Sequence, residues 1–163
     1  MRVDGHSEFA QFWKQTQGKV RAYMRCACGN GSDADDLAQE CYMRALRSWD
    51  RYDGAGSRIG WLFAIARNTR ADWFRRQFRD ARLNELSTDA AVEETPPESS
   101  FDEVEAIWRA VKAIEPEHRE VIHLRFAADL SYIEIAEMLG VPVGTVRSRL
   151  HRGLKAVRKR IEE

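Results

Sequence analysis

The sequence predicts an all-α protein made of two small helical domains, which are joined by a flexible acidic linker. Apolar residues recur at helical spacing in both halves of the chain. Between the halves, residues 83–105 contain eight acidic residues, no basic residue and no helical or strand periodicity. We therefore expect a first domain over residues 1–82, a linker over 83–105 and a second domain over 106–163.

The first domain begins with aromatic and aliphatic residues that predict one or two amphipathic helices over residues 7–28. Another helix is expected after the glycines at 29–31, where Ser32 and Asp35 form a candidate capping box. The polar residues Asp36, Gln39 and Glu40 lie outside its apolar face, and the pattern alone favours an ordinary solvated surface for them. That apolar face is a continuous stripe of Ala34, Leu37, Ala38, Cys41, Tyr42, Ala45, Leu46 and Trp49.

A glycine-rich turn at residues 51–58 precedes the last helix of this domain. Its glycines lack the spacing of a P-loop or of a dinucleotide-binding motif. The helix is predicted from Ile59 or Gly60 onward, and one of its faces carries Phe63, Arg67, Arg70 and Phe74. Aromatic and basic side chains on one face suit unpaired bases, through stacking and phosphate neutralisation. Buried phenylalanines and solvated arginines explain the same pattern equally well. The buried stripe is expected to be Trp61, Leu62, Ile65, Ala66, Thr69 and Trp73.

Residues 130–152 are typical of a helix-turn-helix. Ser131 and Glu134 are placed for a capping box, and Gly140 for a left-handed helix end. We expect Ile133, Ala136 and Leu139 to form the apolar face of the first helix, and Val146, Leu150, Leu154, Val157 and Ile161 that of the second. The remaining side chains give the second helix donors and cations suited to a DNA major groove. A two-helix hairpin with an ordinary basic surface is the less favoured alternative.

Charge is segregated along the chain although the formal net charge is zero. Residues 141–163 hold seven Lys or Arg and two acids, and residues 67–82 hold six Arg and two Asp. Phosphate contacts are local and counterion release is counted per contact, so these blocks matter more than the sum. Fully extended, the acidic stretch between them reaches roughly 75–80 Å, and two turns of B-DNA span about 70 Å. Two tethered domains could therefore read sites about two turns apart.

Other classes of protein are disfavoured by composition. The chain has no apolar stretch long enough to span a bilayer, and its N-terminus lacks the hydrophobic core of a signal peptide. We expect a cytoplasmic protein with no membrane insertion. Cys26, Cys28 and Cys41 have no spacing that completes a zinc site with the four histidines. No metal or cofactor is therefore expected, and a thiol or metal sensor is a minor alternative.

The chain as a whole resembles the bacterial sigma factors of the extracytoplasmic-function type. Residues 33–40, 51–54, 61–68 and 72–76 are similar to the second region of that family. Residues 116–126, 131–136 and 144–152 are similar to its fourth region. The resemblance covers nearly everything except the linker and the first few residues, and no third folded region is visible between the two.

The resemblance implies a non-catalytic subunit that directs core RNA polymerase to promoters and assists their melting. It implies that core polymerase docks on Asp35, Asp36, Gln39 and Glu40. It implies that the minus-ten element, with an extruded base, is bound by Asp53, Gly54, Ser57, Arg58, Arg67, Asn68, Arg70, Trp73, Arg75 and Arg76. It implies that the minus-thirty-five element is bound by Thr145, Arg147, Ser148, Arg149, His151, Arg152 and Lys155.

Some questions stay open from the sequence. The chief rival function is a stand-alone helix-turn-helix repressor that binds duplex DNA as a dimer, although it would have no use for an acidic tether and a second basic domain. The sequence reveals neither the promoter sequence nor the inducing signal. It also leaves open whether an anti-sigma factor holds the chain inactive.

Overall fold

The structure is a computed structural model, and it describes residues 3–28, 31–85 and 102–162. All regular elements within these ranges are helical, and none is a strand, so the predicted all-α fold is confirmed. In chain order they are α1 (Val3–Cys28), α2 (Gly31–Ser48), a 3-10 helix (Trp49–Arg51), α3 (Arg58–Glu85), α4 (Asp102–Lys112), α5 (Pro116–Ile122), a π-helical turn (His123–Ala127), α6 (Tyr132–Leu139) and α7 (Val143–Glu162). Across the described residues, no helix combines the length and apolar character needed to cross a membrane.

Helices α1, α2 and α3 pack together as the N-terminal domain. Residues 7–28 form part of one continuous helix rather than two. The predicted stripe of α2 is confirmed, because Ala34, Leu37, Ala38, Cys41 and Ala45 are all buried. The capping box predicted at Ser32 was wrong. That residue lies inside α2, which already begins at Gly31.

A cluster of aromatic rings fixes the chain where α2 ends and the glycine-rich turn begins. The ring of Trp49 lies 5.2 Å from Phe9, 5.6 Å from Phe12 and 5.8 Å from Trp61, measured between centroids. Tyr52 also stacks on Trp49, with ring centroids 6.3 Å apart. Buried aromatic pairs of this kind stabilise a fold beyond the area that they bury. The turn that follows is therefore held in place at its N-terminal end.

The linker prediction falls mostly outside the described residues. Its first three positions, 83–85, continue α3, and its last four, 102–105, begin α4. The predicted flexible stretch between them, 86–101, lies in a part of the chain that the structure does not describe.

The helix-turn-helix is formed as predicted. The Ser131 hydroxyl accepts from the Glu134 amide at 3.2 Å, and the Glu134 carboxylate accepts from the Ser131 amide at 2.8 Å. Gly140 ends α6 in the left-handed conformation, with φ of 64°. A residue with a side chain would be strained at that φ, which is why glycine suits the position. The turn then leads through Pro142 into α7.

Parts of the predicted apolar faces of α6 and α7 were wrong. Ala136 is buried as predicted, but Ile133 is 63% exposed and Ile135 is buried in its place. Leu154 and Ile161 are also exposed. Gly153 takes the place of Leu154 at the contact with α5, where an added Cβ would lie only 3.0 Å from Ile122 Cδ1. A glycine has no hydrophobic side chain, so helical spacing of apolar residues pointed to the neighbouring Leu154 instead.

The two domains are in contact with each other. Helix α1 meets the π-helical turn, and α3 meets α6. The Lys19 ammonium also lies 3.4 Å from the Asp129 carboxylate across this boundary. Consequently the helix face and the turn that precedes it, both expected to bind DNA, lie beside the C-terminal domain.

Candidate nucleic-acid interface

The acidic residues expected to bind polymerase lie on one side of α2. Asp36 and Gln39 are exposed. Asp35 is also exposed but is paired with Arg21, whose Nη2 lies 2.7 Å from its carboxylate. Glu40 is about one third exposed. Asp36 and Gln39 have no ion pair or hydrogen bond with any described residue, so this surface, with the two carboxylates of Asp35 and Glu40, is accessible to a basic partner.

Glu40 belongs to a chain of ion pairs that joins α2 to α3. Its carboxylate lies 2.5 Å from Arg44 Nη2 and 2.9 Å from Arg76 Nη2. Arg44 also contacts Asp72 at 2.7 Å, and Asp72 contacts Arg75 at 2.8 Å. Burial would raise the pKa of Glu40, but the hydrogen bonds from Arg76 and Arg44 outweigh it and lower that pKa. The hydrogen bond from Arg44 likewise lowers the pKa of Asp72.

This network brings together residues that the sequence assigned to different partners. Glu40 was expected at the polymerase contact, whereas Arg75 and Arg76 were expected at the minus-ten element. In the structure, the two sets share one ion-pair chain with Arg44 at its centre. A partner that binds the Glu40 carboxylate would therefore compete with Arg76 for it.

The glycine-rich turn is a tight, hydrogen-bonded loop with two residues at positive φ. Gly54 has φ of 78° and Gly56 has φ of 76°, a region that favours glycine. The Asp53 carboxylate accepts from the Ala55 amide at 2.9 Å, an arrangement that favours a turn. Arg58 lies 2.7 Å from Glu8, and its guanidinium sits 5.5 Å from the Trp49 ring centre. Asp53, Gly54 and Arg58 remain exposed.

Ser57 is the residue of the turn that faces the other domain. Its hydroxyl donates to the Glu134 carboxylate at 3.1 Å and accepts from the Gly60 amide at 3.3 Å. Glu134 is also part of the capping box of α6. The end of the turn is therefore attached to the first helix of the helix-turn-helix.

Two of the four residues predicted to share a base-binding face of α3 are buried instead. Phe63 is fully buried, and its ring meets that of Tyr23 edge-on at 5.5 Å. The side chain of Arg70 is only 15% exposed. Arg67 is 49% exposed, and Asn68 is also accessible. Further along α3, Trp73 and Phe74 are half-buried and pack edge-on at 5.0 Å, next to the exposed Arg75 and Arg76.

Arg70 is held by a carboxylate from the C-terminal domain. It forms an ion pair and hydrogen bond with Glu120 of α5. Its guanidinium carbon also lies 4.6 Å from the ring centre of Tyr23, and the Tyr23 hydroxyl donates to Glu120 at 2.7 Å. Burial favours the neutral form of the Tyr23 phenol and raises its pKa well above 10. Burial alone would also raise the pKa of Glu120, but the charge and hydrogen bond of Arg70, with the Tyr23 hydrogen bond and the charge of Arg67, together lower it.

Helix α7 presents most of its expected DNA-binding residues to solvent. Arg147, Ser148, His151, Arg152 and Lys155 are exposed, and Thr145 is half-buried at the start of the helix. Arg149 differs from these, because it is 25% exposed and its Nη2 lies 2.9 Å from the Glu117 carboxylate. The guanidinium of Arg147 sits 5.9 Å from the Tyr132 ring centre. The face therefore combines hydrogen-bond donors near the turn with cations further along.

The three cysteines are poor candidates for reactive thiols. Burial raises the pKa of Cys26 and Cys28 to about 11, and that of Cys41 to about 12. Thiolate chemistry needs a lowered pKa, so these thiols stay protonated at neutral pH. Within the described ranges, no three His, Cys, Asp or Glu side chains are grouped in a way that could hold a metal ion.

Three residues of the site, Tyr23, Arg44 and Glu120, were not predicted from the sequence. The ring of Tyr23 is buried as helical spacing would suggest, but its hydroxyl donates to Glu120. Glu120 lies three and four positions before the buried His123 and Leu124, so it falls at the edge of an apolar face. An acid in that position is a signal for a buried partner. The partner itself lies in the other domain, which local spacing cannot reveal.

Comparisons with known proteins agree with this arrangement. Residues 12–79 match the family model for sigma-70 region 2, and residues 110–159 match that for sigma-70 region 4. The chain is 31% identical to the ECF RNA polymerase sigma factor SigW of Bacillus subtilis (strain 168) over 159 residues, which cover 89% of this chain and 85% of that protein. It is 34% identical to SigX of the same organism over 140 residues, which cover 80% of this chain and 72% of that protein.

The fold is also similar to that of a solved structure. The sigma factor RpoE from Bartonella quintana, in complex with the anti-sigma factor NepR, superposes with a TM-score of 0.76 over 95% of this chain and 97% of that one. Sequence identity in this comparison is 23%, so the likeness concerns the fold.

Proposed function

Because this chain belongs to the extracytoplasmic-function sigma factors of the sigma-70 family, we propose how its surfaces are divided between core RNA polymerase and promoter DNA. As a sigma factor, it directs RNA polymerase in the initiation of transcription. In the proposed division, residues 1–82 bind polymerase and the minus-ten element, and residues 106–163 bind the minus-thirty-five element. Residues 83–105 connect them through polymerase channels that otherwise hold nucleic acid. The observation that best supports this division is the helix-turn-helix, whose second helix is basic and exposed. It follows a domain that has an exposed acidic face on α2.

The polymerase contact is proposed on α2. Asp36 and Gln39 are exposed and unpaired there, and Asp35 and Glu40 add two carboxylates beside them. Core polymerase would have to supply basic or donor groups to match this surface. Electrostatic complementarity of this kind gives specificity and a faster encounter.

The minus-ten contact is proposed at the turn and on α3. Asp53, Gly54, Ser57 and Arg58 lie in the turn. Arg67, Asn68, Arg70, Trp73, Arg75 and Arg76 follow along α3, so that one helix carries cations on both sides of an aromatic ring. Cations neutralise phosphates while aromatic rings stack on unpaired bases, which favours the melted promoter over the duplex.

The minus-thirty-five contact is proposed on α7. Thr145, Arg147 and Ser148 lie near its N-terminal end, where a helix in the major groove reaches base edges. Arg149, His151, Arg152 and Lys155 continue along the helix toward positions suited to phosphates. Arginine can pair bidentately with guanine, whereas lysine near phosphate contributes affinity without sequence preference.

We propose that the protein acts as a non-catalytic specificity subunit in the cytoplasm, where it meets RNA polymerase. We further propose that an anti-sigma protein regulates it, as NepR binds the sigma factor RpoE of Bartonella quintana. The complex of RpoE with NepR is that of a similar protein. Whether an anti-sigma protein binds this chain is tested by co-purification with the tagged chain from its own host.

In-vitro run-off transcription tests the proposal. With a pool of genomic fragments as template, core polymerase and the purified chain together should initiate from specific sites, whereas either alone should not. The free chain should bind those sites poorly, because neither of its two weakly basic surfaces alone makes many phosphate contacts. Tight sequence-specific duplex binding by the free chain, unchanged by core polymerase, would contradict the proposal and favour a stand-alone repressor.

A further inference from the structure

One buried carboxylate joins the two domains of this chain. Glu120 on α5 and Arg70 on α3 have side chains that are 12% and 15% exposed, and they are paired with each other. The Tyr23 hydroxyl on α1 donates to the same carboxylate at 2.7 Å, and Arg67 Nε lies 3.7 Å from it. We call Tyr23, Arg67 and Arg70 the carboxylate pocket. All three belong to the N-terminal domain, whereas the group that they hold comes from the C-terminal one.

The pocket is matched to its occupant in charge and in hydrogen bonding. A carboxylate that leaves water is costly unless it is paired, and Glu120 gains a cation and a phenolic donor. The phenol and the guanidinium also contact each other, since the Arg70 guanidinium carbon lies 4.6 Å from the Tyr23 ring centre. Arg70 would in turn be a buried charge without a partner if Glu120 were absent. The pocket therefore suits an anionic oxygen group, and in this structure that group is the Glu120 carboxylate.

A second contact between the domains joins the glycine-rich turn at residues 51–58 to α6. Ser57 donates to Glu134 on α6 at 3.1 Å. A Cβ added at Gly60 would lie 4.0 Å from the Glu134 carbonyl oxygen, and one added at Gly56 would lie 3.8 Å from the Glu137 carboxylate. The first helix of the helix-turn-helix thus lies against the turn. Each part of the proposed minus-ten surface therefore has a residue that contacts the C-terminal domain, Ser57 in the turn and Arg70 on α3.

We infer that the carboxylate pocket is an intramolecular docking surface, which holds Glu120 in the free chain and must release it before α3 binds the minus-ten element. The inference rests on the proposed role of α3 in binding that element. Arg70 cannot pair with a buried carboxylate and with a DNA phosphate at the same time. The chain therefore exists in a closed form, in which its two DNA-binding domains face each other, and in an open form that polymerase and DNA favour.

The free full-length chain gives the first test, by small-angle X-ray scattering. A compact chain of this length has a radius of gyration of about 15 Å, whereas two domains separated on a flexible tether give roughly 20 Å or more. We expect the wild-type chain near the smaller value. A wild-type radius already at the larger value would overturn the inference without recourse to any variant.

Substitutions then separate docking from DNA binding. Glu120→Gln leaves Arg70 buried without a counter-charge, so the chain should expand while its far-UV circular dichroism is retained. It should also bind a short fluorescein-labelled DNA single strand of mixed sequence about tenfold more tightly or better, because the competent form is no longer a minor population. Arg70→Gln should expand the chain equally but gain no affinity. The matched control Glu162→Gln removes an exposed carboxylate from α7 and should change neither measurement.

The possible failures are distinguishable. If Glu120→Gln and Arg70→Gln stay as compact as the wild type, the pocket does not hold the domains together and the inference is overturned. If Glu120→Gln expands without a gain in DNA affinity, release of Glu120 does not control DNA binding, and the proposed role of α3 fails while the docking stands. The run-off transcription test of the proposed function uses only the wild-type chain, so its outcome is independent of these results.

Discussion

Acidification should destabilise this protein mainly through one buried imidazole, that of His123. The residue is 3% exposed and its ring lies 5.8 Å from Trp108. Neither of its nitrogens has a hydrogen-bond partner among the described residues. The pKa of His123 is lowered from 6.5 to about 4. Burial is the main cause, and the nearby charge of Arg70 lowers the pKa by more than the charge of Glu120 raises it. The imidazole is therefore neutral in the folded protein near pH 7.

The sign of the effect follows from these two pKa values. Between pH 6.5 and pH 4 the unfolded chain binds a proton at His123 and the folded chain does not, so stability falls as the pH falls. With a folded pKa of about 4, the loss between pH 7 and pH 5 is about 2 kcal/mol, out of a limiting value of about 3 kcal/mol at lower pH. This is a large fraction of the ~5–15 kcal/mol by which small domains are stable.

The window from pH 7 to pH 5 separates His123 from Glu120. The pKa of the Glu120 carboxyl is lowered in the folded state. Its contribution is present above the unfolded pKa of 4.5 and is lost only as the pH falls through the lower folded value. Most of the Glu120 effect therefore appears below the window in which His123 acts.

Urea denaturation at the two pH values, followed by circular dichroism, measures the effect. With an m-value of ~1–3 kcal/mol per molar, a loss of about 2 kcal/mol moves the midpoint by roughly 1 M. His123→Phe keeps a ring against Trp108 but cannot bind a proton, so most of this shift should disappear in the variant.

His6→Phe, at an exposed position, is the matched control and should retain the full wild-type shift. If His123→Phe shows the same dependence on pH as the wild type, the imidazole is not the group that binds the proton, and the reasoning fails.

Two further predictions address the proposed interfaces. Asp36→Lys should weaken binding to core polymerase by about 1.5 kcal/mol or more and leave the melting temperature nearly unchanged, because Asp36 is exposed and unpaired. Glu40→Lys should lower both the affinity for polymerase and the melting temperature, since it also breaks the ion pairs with Arg44 and Arg76. If Asp36→Lys lowers the melting temperature as much as Glu40→Lys does, the assignment of Asp36 to an exposed interface is wrong. On α7, Arg147→Ala should cost roughly 1–3 kcal/mol of discrimination at the minus-thirty-five element, and Lys155→Ala should weaken all promoters alike and reduce the salt slope by about one contact. Run-off transcription and salt-dependent affinity on singly substituted promoters measure both, and the same loss for Arg147→Ala on a scrambled element would refute base reading.

Local signals in the sequence were sufficient for most of the fold. The stripe of α2, the capping box at Ser131 and the glycine at 140 each depend on residues within a few positions of one another. Their physical causes act over one or two helical turns, so the structure agrees with the pattern. The errors at Ile133 and Leu154 have a different origin. Both side chains have helical spacing, but the faces that are buried depend on how α6 packs against α3 and α7, and on how α7 packs against α5.

The candidate site was less accessible to sequence reasoning because its decisive contacts are long-range. Arg70 and Glu120 are separated by 50 positions, and Tyr23 and Glu120 by 97. A pattern of aromatic and basic residues on α3 correctly marked a charged face. It could not show that Phe63 closes the core against Tyr23, or that the neighbouring arginine is already paired.

Arg70 shows why pattern and structure describe the same residue differently. A cation on a helix with aromatic neighbours satisfies the requirements of DNA binding and those of a buried ion pair, since both need a guanidinium directed at an anion. The carboxylate of Glu120 and a phosphate are alternatives for the same donors. A single structure contains one of these alternatives, so the burial of Arg70 is no argument against a role at promoter DNA. Its burial instead defines what must be broken first, which is the ion pair that connects the two domains.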